Sequence, residues 1–387
     1  MQEFDYSYAT RVHFGEGVLE RALEAEAPRL GGTVMVAFGG GSARRTGVLG
    51  RVASVLQAAG ARAVEWGGIM PNPTYAKVQE GAALARAERV DSILAVGGGS
   101  VSDCCKAVAA QAMLDGDLWE LECARHELPA ASLPLGVVVT ASGTGSEMNG
   151  GAVITNEEVG IKGGLFSAAP AFAVLDPELT ATVPRMQVVS GAFDSLTHAM
   201  ETYLGASDAD NPSDDLALAT MRNIVVNLRR LLADIDDMQA RGNLMWDAAM
   251  AENGILKLGR ATDFQAHYIE HQLGAFTDCN HGQGLAVIVP AYYRRVAEAA
   301  PAKLARLGRE VFGVAEADDA KAAALAVEAL SVFVAELGLP TRLTQLRSRV
   351  EVTPELLRRV ADTASLVKTG PVRLSADDIY ELLLEAL

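Results

Sequence analysis

The stretch GAFDSLTHAM (Gly191–Met200) puts Asp194 and His198 four residues apart among good helix formers. Residues at i and i+4 share one face of a helix. Further on, HYIEHQLGAFTDCNHG carries His267 and His271 at the same spacing, then His281 ten residues later. Four of the chain's six histidines therefore fall between His198 and His281. Two such helical pairs can converge on one ion from facing sides. Asp194, His198, His267 and His281 would form an N₃O set, which suits zinc, iron, nickel or cobalt better than magnesium or calcium. A further coordination position would remain for a substrate oxygen. His271, one turn beyond His267, reads as a fourth histidine ligand, a partner to a ligand or a proton carrier. The competing reading is a buried polar network between helices. His13 and His126 stand apart and carry no functional reading.

A second chemical signal is a set of glycine turns. Gly-Gly-Gly-Ser ends two apolar runs, at Gly39–Ser42 and at Gly97–Ser100, and TASGTGSE (Thr140–Glu147) ends a third. Glycines between a strand and a helix let the backbone approach a phosphate, with helix N–H donors behind it. One such turn is an ordinary tight connection. Three in one domain point to a phosphate or dinucleotide ligand, although none is a G-x-G-x-x-G or G-x-x-x-x-G-K-[ST] motif. No carboxylate follows the first turn directly, whereas Ser42, Arg44 and Arg45 do. In ordinary Rossmann domains an acidic residue holds the ribose of NAD; its absence here favours NADP(H). Against this, Arg44 and Arg45 are read as solvated helix residues.

The elements that must position these groups change character along the chain. Strand runs are expected at Thr33–Ser42, Arg62–Trp66, Asp91–Ser100, Leu135–Glu147 and Ala171–Pro177, alternating with helices such as Thr74–Arg89 and Val101–Met113. That alternation predicts a parallel sheet with crossover helices. Beyond about Pro184 the period is helical: Leu218, Met221, Val225, Leu228 and Leu232 are three or four apart, with Ser213 as a candidate N-cap. Pro301–Phe312, Asp319–Leu337, Thr353–Thr363 and Ala376–Leu387 read likewise, while LAVIVP (Leu285–Pro290) fits a strand or a buried helix equally. No repeat and no Pro/Ser linker is present, so two closely packed domains with a cleft are expected.

Composition narrows the partners. With 387 residues, 33 basic and 49 acidic, the chain has a net charge of −16. That argues against nucleic acid and against anionic membrane surfaces. Four cysteines without zinc-ribbon spacing give no disulfide framework, which suits a reducing compartment. No signal peptide and no apolar run of about 18 residues is seen, so the expected location is the cytoplasm.

Together these residues resemble the iron-containing (group III) alcohol dehydrogenase family. The resemblance runs through RVHFGEG, GIMPNPT, AVGGGSVSDCCKAVA, TASGTGSE, LDPELTATVP, GAFDSLTHAMETY and HYIEHQLGAFTDCNHGQGLAVIVP, in that order. FGGGSARRTG (Phe38–Gly47) looks most like the NADPH-dependent butanol dehydrogenase and aldehyde reductase branch. The resemblance implies a dehydroquinate synthase-like fold: an α/β Rossmann-like domain over residues 1–185 and an all-α domain over 186–387. It implies metal ligation by Asp194, His198, His267 and His281, with His271 near the nicotinamide as a proton relay. Gly40, Gly41 and Ser42 would meet the 2′-phosphate, and Gly98, Gly99 and Ser100 the pyrophosphate. Asn72, Asp103, Thr140, Thr144, Asn149 and Lys162 would complete the cofactor site. The implied partner set is a small aldehyde or alcohol and a second copy of the chain, as a homodimer. Cys104-Cys105 departs from the family's small or apolar residues, and oxidation there is expected to harm cofactor binding.

Two other reactions fit parts of this pattern. A metal- and NAD-dependent lyase of the dehydroquinate synthase type would need several cations for its polyanionic substrate. The basic residues around the ligand motifs (Arg222, Arg229, Arg230, Arg241, Lys257 and Arg260) are not adjacent to the ligands in sequence. A metal hydrolase would leave the glycine turns unexplained.

Overall fold

The computed structural model describes residues 2–205 and 211–387. The chain divides into two units, Ser7–Pro184 and Arg185–Leu387, the latter joined by the N-terminal residues through Tyr6. Gln2 N donates to Gly259 O at 3.0 Å, which ties the start of the chain to the helical unit. The expected division at 185/186 assigned those first residues to the other side.

In the first unit the strands are β1 (Arg11–Phe14), β2 (Thr33–Phe38), β3 (Arg62–Trp66), β4 (Ser92–Gly97), β5 (Leu135–Val139), β6 (Gly151–Asn156), β7 (Ile161–Phe166) and β8 (Phe172–Leu175). A parallel six-stranded sheet runs in the order β1-β8-β5-β4-β2-β3, and β6 and β7 pair apart from it as an antiparallel hairpin. The helices are α1 (Leu19–Glu26), α2 (Ser42–Arg45), α3 (Val48–Ala58), α4 (Tyr75–Ala87) and α5 (Gly99–Ala112). Every residue of β4 and β5 is buried, as a parallel sheet covered on both faces requires.

The sheet order explains where the glycines fall. From β2 the chain leaves toward one edge, to β3; from β4 it leaves toward the other, to β5. β2 and β4 are neighbours, so the topological switch point lies between them. The two Gly-Gly-Gly-Ser turns sit at the carboxyl ends of these two strands, where open α/β sheets bind ligands. Gly41 has φ +98°, in the left-handed region, so a side chain there would be strained.

Three strands, β1 and the hairpin pair β6 and β7, fall outside the expected runs. β1 is a four-residue edge strand of mixed burial, too short to show a period. β7 contains Gly163 and Gly164, whose low strand propensity hides it.

The second unit contains α6 (Arg185–Tyr203), α7 (Pro212–Ala233), α8 (Met238–Glu252), α9 (Gln265–Thr277), α10 (His281–Ala299), α11 (Pro301–Phe312), α12 (Asp319–Glu336), α13 (Pro354–Thr363) and α14 (Ala376–Glu385). Its core includes Phe193, Leu196, Met200, Met221, Leu228, Leu273, Ile288, Tyr292 and Phe333. Leu285–Pro290 is helix, in the middle of α10. Gly284 to Tyr293 are all buried, and a helix buried all round shows no polar face from which to read a period. The N-cap of α7 is Asn211 rather than Ser213: its Oδ1 accepts from Ser213 N at 2.9 Å and Asp214 N at 3.3 Å. Pro212 follows it at the first helical position, where a missing N–H costs nothing.

Gly136, in β5, provides a test of this packing. A Cβ there would lie 2.2 Å from Phe172 Cζ, and the Phe172 ring is itself buried. Gly136→Ala is expected to destabilise the protein by about 1–3 kcal/mol, measured by denaturant unfolding.

Candidate active site

Helix α6 presents Asp194 and His198 one turn apart, α9 presents His267 in its first turn, and α10 begins at His281. These three helices bring the four side chains together. Asp194 Oδ1 lies 3.4 Å from His198 Nε2, 3.5 Å from His267 Nε2 and 3.4 Å from His281 Nε2. Asp194 and His267 are each only 3 % exposed. Burial works to raise the Asp194 carboxyl, but the surrounding imidazoles outweigh it and hold it well below the usual carboxylate range. Burial also opposes charge on His267, yet Glu201 and Asp194 outweigh that and lift it to about 10.

The donor set fits a divalent ion. Asp194 Oδ1 and His267 Nε2 are buried and make no hydrogen bond, although they face each other. Buried polar atoms are normally hydrogen-bonded, and two that are not, turned on one point, suit a cation between them. Three imidazoles and one carboxylate are the borderline-soft donors that zinc and iron take.

His271 stands beside this group. Its ring is 5.3 Å from that of His281 and 6.2 Å from that of His267. Its nitrogen groups with His281 and Glu270, whereas Asp194, His267 and His281 form the central cluster.

The sequence reading missed what backs the histidines. His267 Nδ1 meets Glu201 Oε2, His281 Nδ1 meets Glu270 Oε2, and His198 Nδ1 lies 3.0 Å from Glu252 Oε1. Glu201 is one turn beyond His198, and Glu270 one turn beyond His267, so a carboxylate at i+3 from a candidate ligand was the available signal. Glu252 comes from α8, and no local spacing points to it. Phe264 was also missed. It immediately precedes α9 with φ +61°, and its ring lies 5.2 Å from His267 and 5.7 Å from His198.

All the expected cofactor residues lie in the sheet unit, around the glycine turns and the β6–β7 hairpin. Gly40 has open space where a Cβ would project, whereas a Cβ on Gly99 would lie 2.3 Å from Thr144 Oγ1. The second and third turns therefore touch through Gly99 and Thr144. Lys162 Nζ donates to Asn72 Oδ1 at 3.0 Å, joining two residues far apart in sequence. Asn149 Oδ1 accepts from Gly151 N at 3.0 Å and from Lys106 Nζ at 3.3 Å; Lys106 is wholly buried and was not anticipated. Asp103 accepts from Ser146 Oγ at 2.5 Å and from Val153 N at 3.0 Å, so it braces the third turn against the hairpin. Beside the first turn, Arg44 forms an ion pair with Glu65 of β3 and lies over the Phe38 ring at 5.2 Å.

The expected oxidation sensitivity of Cys104 and Cys105 does not fit their setting. Both are fully buried in α5, and burial pushes the Cys104 thiol up to about 12. The thiolate is the reactive form, so both are inert near neutral pH.

A doubly wound sheet with glycine turns at its switch point, in a chain whose helical unit gathers three histidines on one buried aspartate, has the pattern of a dinucleotide-linked dehydrogenase with a metal centre. Comparison with known proteins gives the family. Residues 9–177 match the model for iron-containing alcohol dehydrogenase, and residues 188–387 match the C-terminal model of the Fe-containing alcohol dehydrogenase family. NADH-dependent butanol dehydrogenase A of Clostridium acetobutylicum is 33 % identical over 389 residues, covering 99 % of each chain. The NADPH-dependent aldehyde reductase YqhD of Escherichia coli is 34 % identical over 367 residues, covering 94 % of each. The crystal structure of NADH-dependent butanol dehydrogenase A from Thermotoga maritima superposes with a TM-score of 0.93 at 34 % identity, over 100 % of this chain and 99 % of that one. This chain belongs to the iron-containing alcohol dehydrogenase family, and its activity class is that of an alcohol dehydrogenase or aldehyde reductase.

Two outcomes test the site. Replacing Asp194 or His267 with Ala is expected to cut bound metal by about an order of magnitude or more in elemental analysis, with the helical circular dichroism signal kept. A Cys104→Ser/Cys105→Ser variant is expected to lose NADPH binding under peroxide no more slowly than the unmodified protein.

Proposed function

We propose that this protein interconverts small aldehydes and primary alcohols with NADP(H), using one divalent ion, iron or zinc, held by Asp194, His198, His267 and His281. The observation that carries this reading is the convergence of three imidazole Nε2 atoms on Asp194 Oδ1. When bound, the ion supplies Lewis-acid polarisation of the substrate oxygen. The nicotinamide carries the hydride. In the reductive direction one hydride goes to the carbonyl carbon and one proton to its oxygen, giving the alcohol and the oxidised cofactor. His271 is assigned to hold that proton, since its ring borders His281 without belonging to the central cluster.

Gly98, Gly99 and Ser100 are assigned to the pyrophosphate. Thr140, Thr144, Asn149, Asn72 and Lys162 are assigned to the ribose and nicotinamide end, with Asp103 bracing the turn beside them. Gly40, Gly41 and Ser42 are assigned to the 2′-phosphate. The preference for NADP(H) over NAD(H) rests on the cations after this turn. Arg45 makes no ion pair among the described residues, whereas Arg44 is held by Glu65. Glu65 thus works against the preference, and the relatives are themselves divided between NADH and NADPH. No helix among the described residues is long and apolar enough to cross a membrane. A cytoplasmic homodimer is the proposed working form.

The test is NADPH consumption with butanal, with and without a chelator, followed by Fe²⁺ or Zn²⁺ add-back and with NADH alongside. Metal-dependent loss of NADPH, faster than that of NADH, is the expected result; no turnover of either cofactor with any small aldehyde would overturn the reading. Glu65→Gln releases Arg44 and is expected to raise the ratio of kcat/KM for NADPH to that for NADH by about 5- to 10-fold, on the order of 1 kcal/mol for a charge-assisted contact.

A further inference from the structure

Each of the three ligand histidines turns its Nδ1 to a buried carboxylate. Glu201 and Glu270 are wholly buried and Glu252 is 7 % exposed. An ionised carboxylate only accepts hydrogen bonds. The facing Nδ1 therefore carries a proton, and the neutral ring, the form that binds a metal, then offers Nε2 as a lone pair. All three lone pairs then point at Asp194 Oδ1, at 3.4 to 3.5 Å. Lone pairs gathered on an anionic oxygen repel unless a proton or a metal ion lies among them.

Glu201 has a second task. Its Oε1 accepts from Ala266 N at 2.7 Å, in the first turn of α9, while Oε2 takes the His267 ring. Its backbone oxygen accepts from Asp263 N at 3.2 Å. One side chain on α6 thus fixes both the start of α9 and the tautomer of the ligand that α9 carries. Glu252 differs, because Lys257 Nζ lies 2.9 Å from its Oε2 and shares its charge.

We infer that Glu201 and Glu270 are positioning residues for the metal, locking the Nδ1–H tautomer of His267 and His281, with Glu201 dominant; Glu252 lies near His198 Nδ1 without hydrogen-bond geometry and acts on it only through its charge. The inference rests on the metal reading above. Glu201→Gln is isosteric, yet an amide has one acceptor oxygen and one donor nitrogen. Either orientation sets its NH₂ against an N–H, that of Ala266 or that of His267. The ring escapes this clash by moving its proton to Nε2, which removes the ligand lone pair.

The test uses the full chain loaded with Co²⁺, whose visible bands report ligand geometry. Chelator competition gives affinity, and circular dichroism monitors folding. The unmodified protein should hold one ion per chain. Glu201→Gln should weaken binding by about 10- to 100-fold and shift the cobalt bands. Glu252→Gln should have a smaller effect, and Glu270→Gln serves as a second strong variant if Glu201→Gln fails to fold. If folded Glu201→Gln and Glu270→Gln hold cobalt as tightly as the parent with unchanged bands, the tautomer lock is wrong while the metal site stands. If the parent binds no Co²⁺, Zn²⁺ or Fe²⁺, the metal reading itself falls and takes this inference with it.

Discussion

The helical unit depends on one unfavourable arrangement made favourable. Asp194 is out of water, and three imidazole nitrogens are turned on one of its oxygens. Behind them stand Glu201, Glu252 and Glu270, also buried. Removing such charges from water costs several kcal/mol each unless they are paired. The packing of α6, α8, α9 and α10 is thus constrained by electrostatics as well as by apolar contact. Each helix contributes a charged or ligating group to the same small volume.

Compensation is built from the backbone as well as from side chains. Glu201 accepts a backbone N–H at the start of α9, and Glu252 is paired with Lys257. Phe264, in the left-handed region, closes the wall beside two of the rings. Backbone strain of this kind persists only where surrounding structure over-determines it, and it concentrates at functional sites.

The sheet unit solves a different problem with different means. For the dinucleotide proposed to bind here, a chain of net charge −16 offers no favourable long-range field. Glycine turns at the switch point offer local N–H donors instead. Around them Asp103, Lys106 and Asn149 form a braced polar set that holds the third turn and the hairpin. Glu65 adds a contact from the neighbouring strand to Arg44, which modifies the charge offered at the first turn.

Much of this was legible in the sequence because the signals are local. The i, i+4 spacing of Asp194 with His198 and of His267 with His271 comes from helix geometry alone. The glycine turns follow strands that are apolar throughout, and the seven family motifs occur in order. What the sequence could not settle was long-range or lacked a period. LAVIVP is buried on every side, so neither helix nor strand left a pattern. β1 is too short, and the glycines of β7 mask a strand. Glu252 backs His198 from another helix, and Glu65 reaches Arg44 across a strand register. Cys104 and Cys105 became inert only when packing buried them. The sequence by itself determined which residue types could ligate and where the backbone could approach a phosphate, because both follow from spacing and composition. Only the tertiary structure decided which charge faces which, because burial sets the energy of a charge and burial comes from contacts between distant parts of the chain.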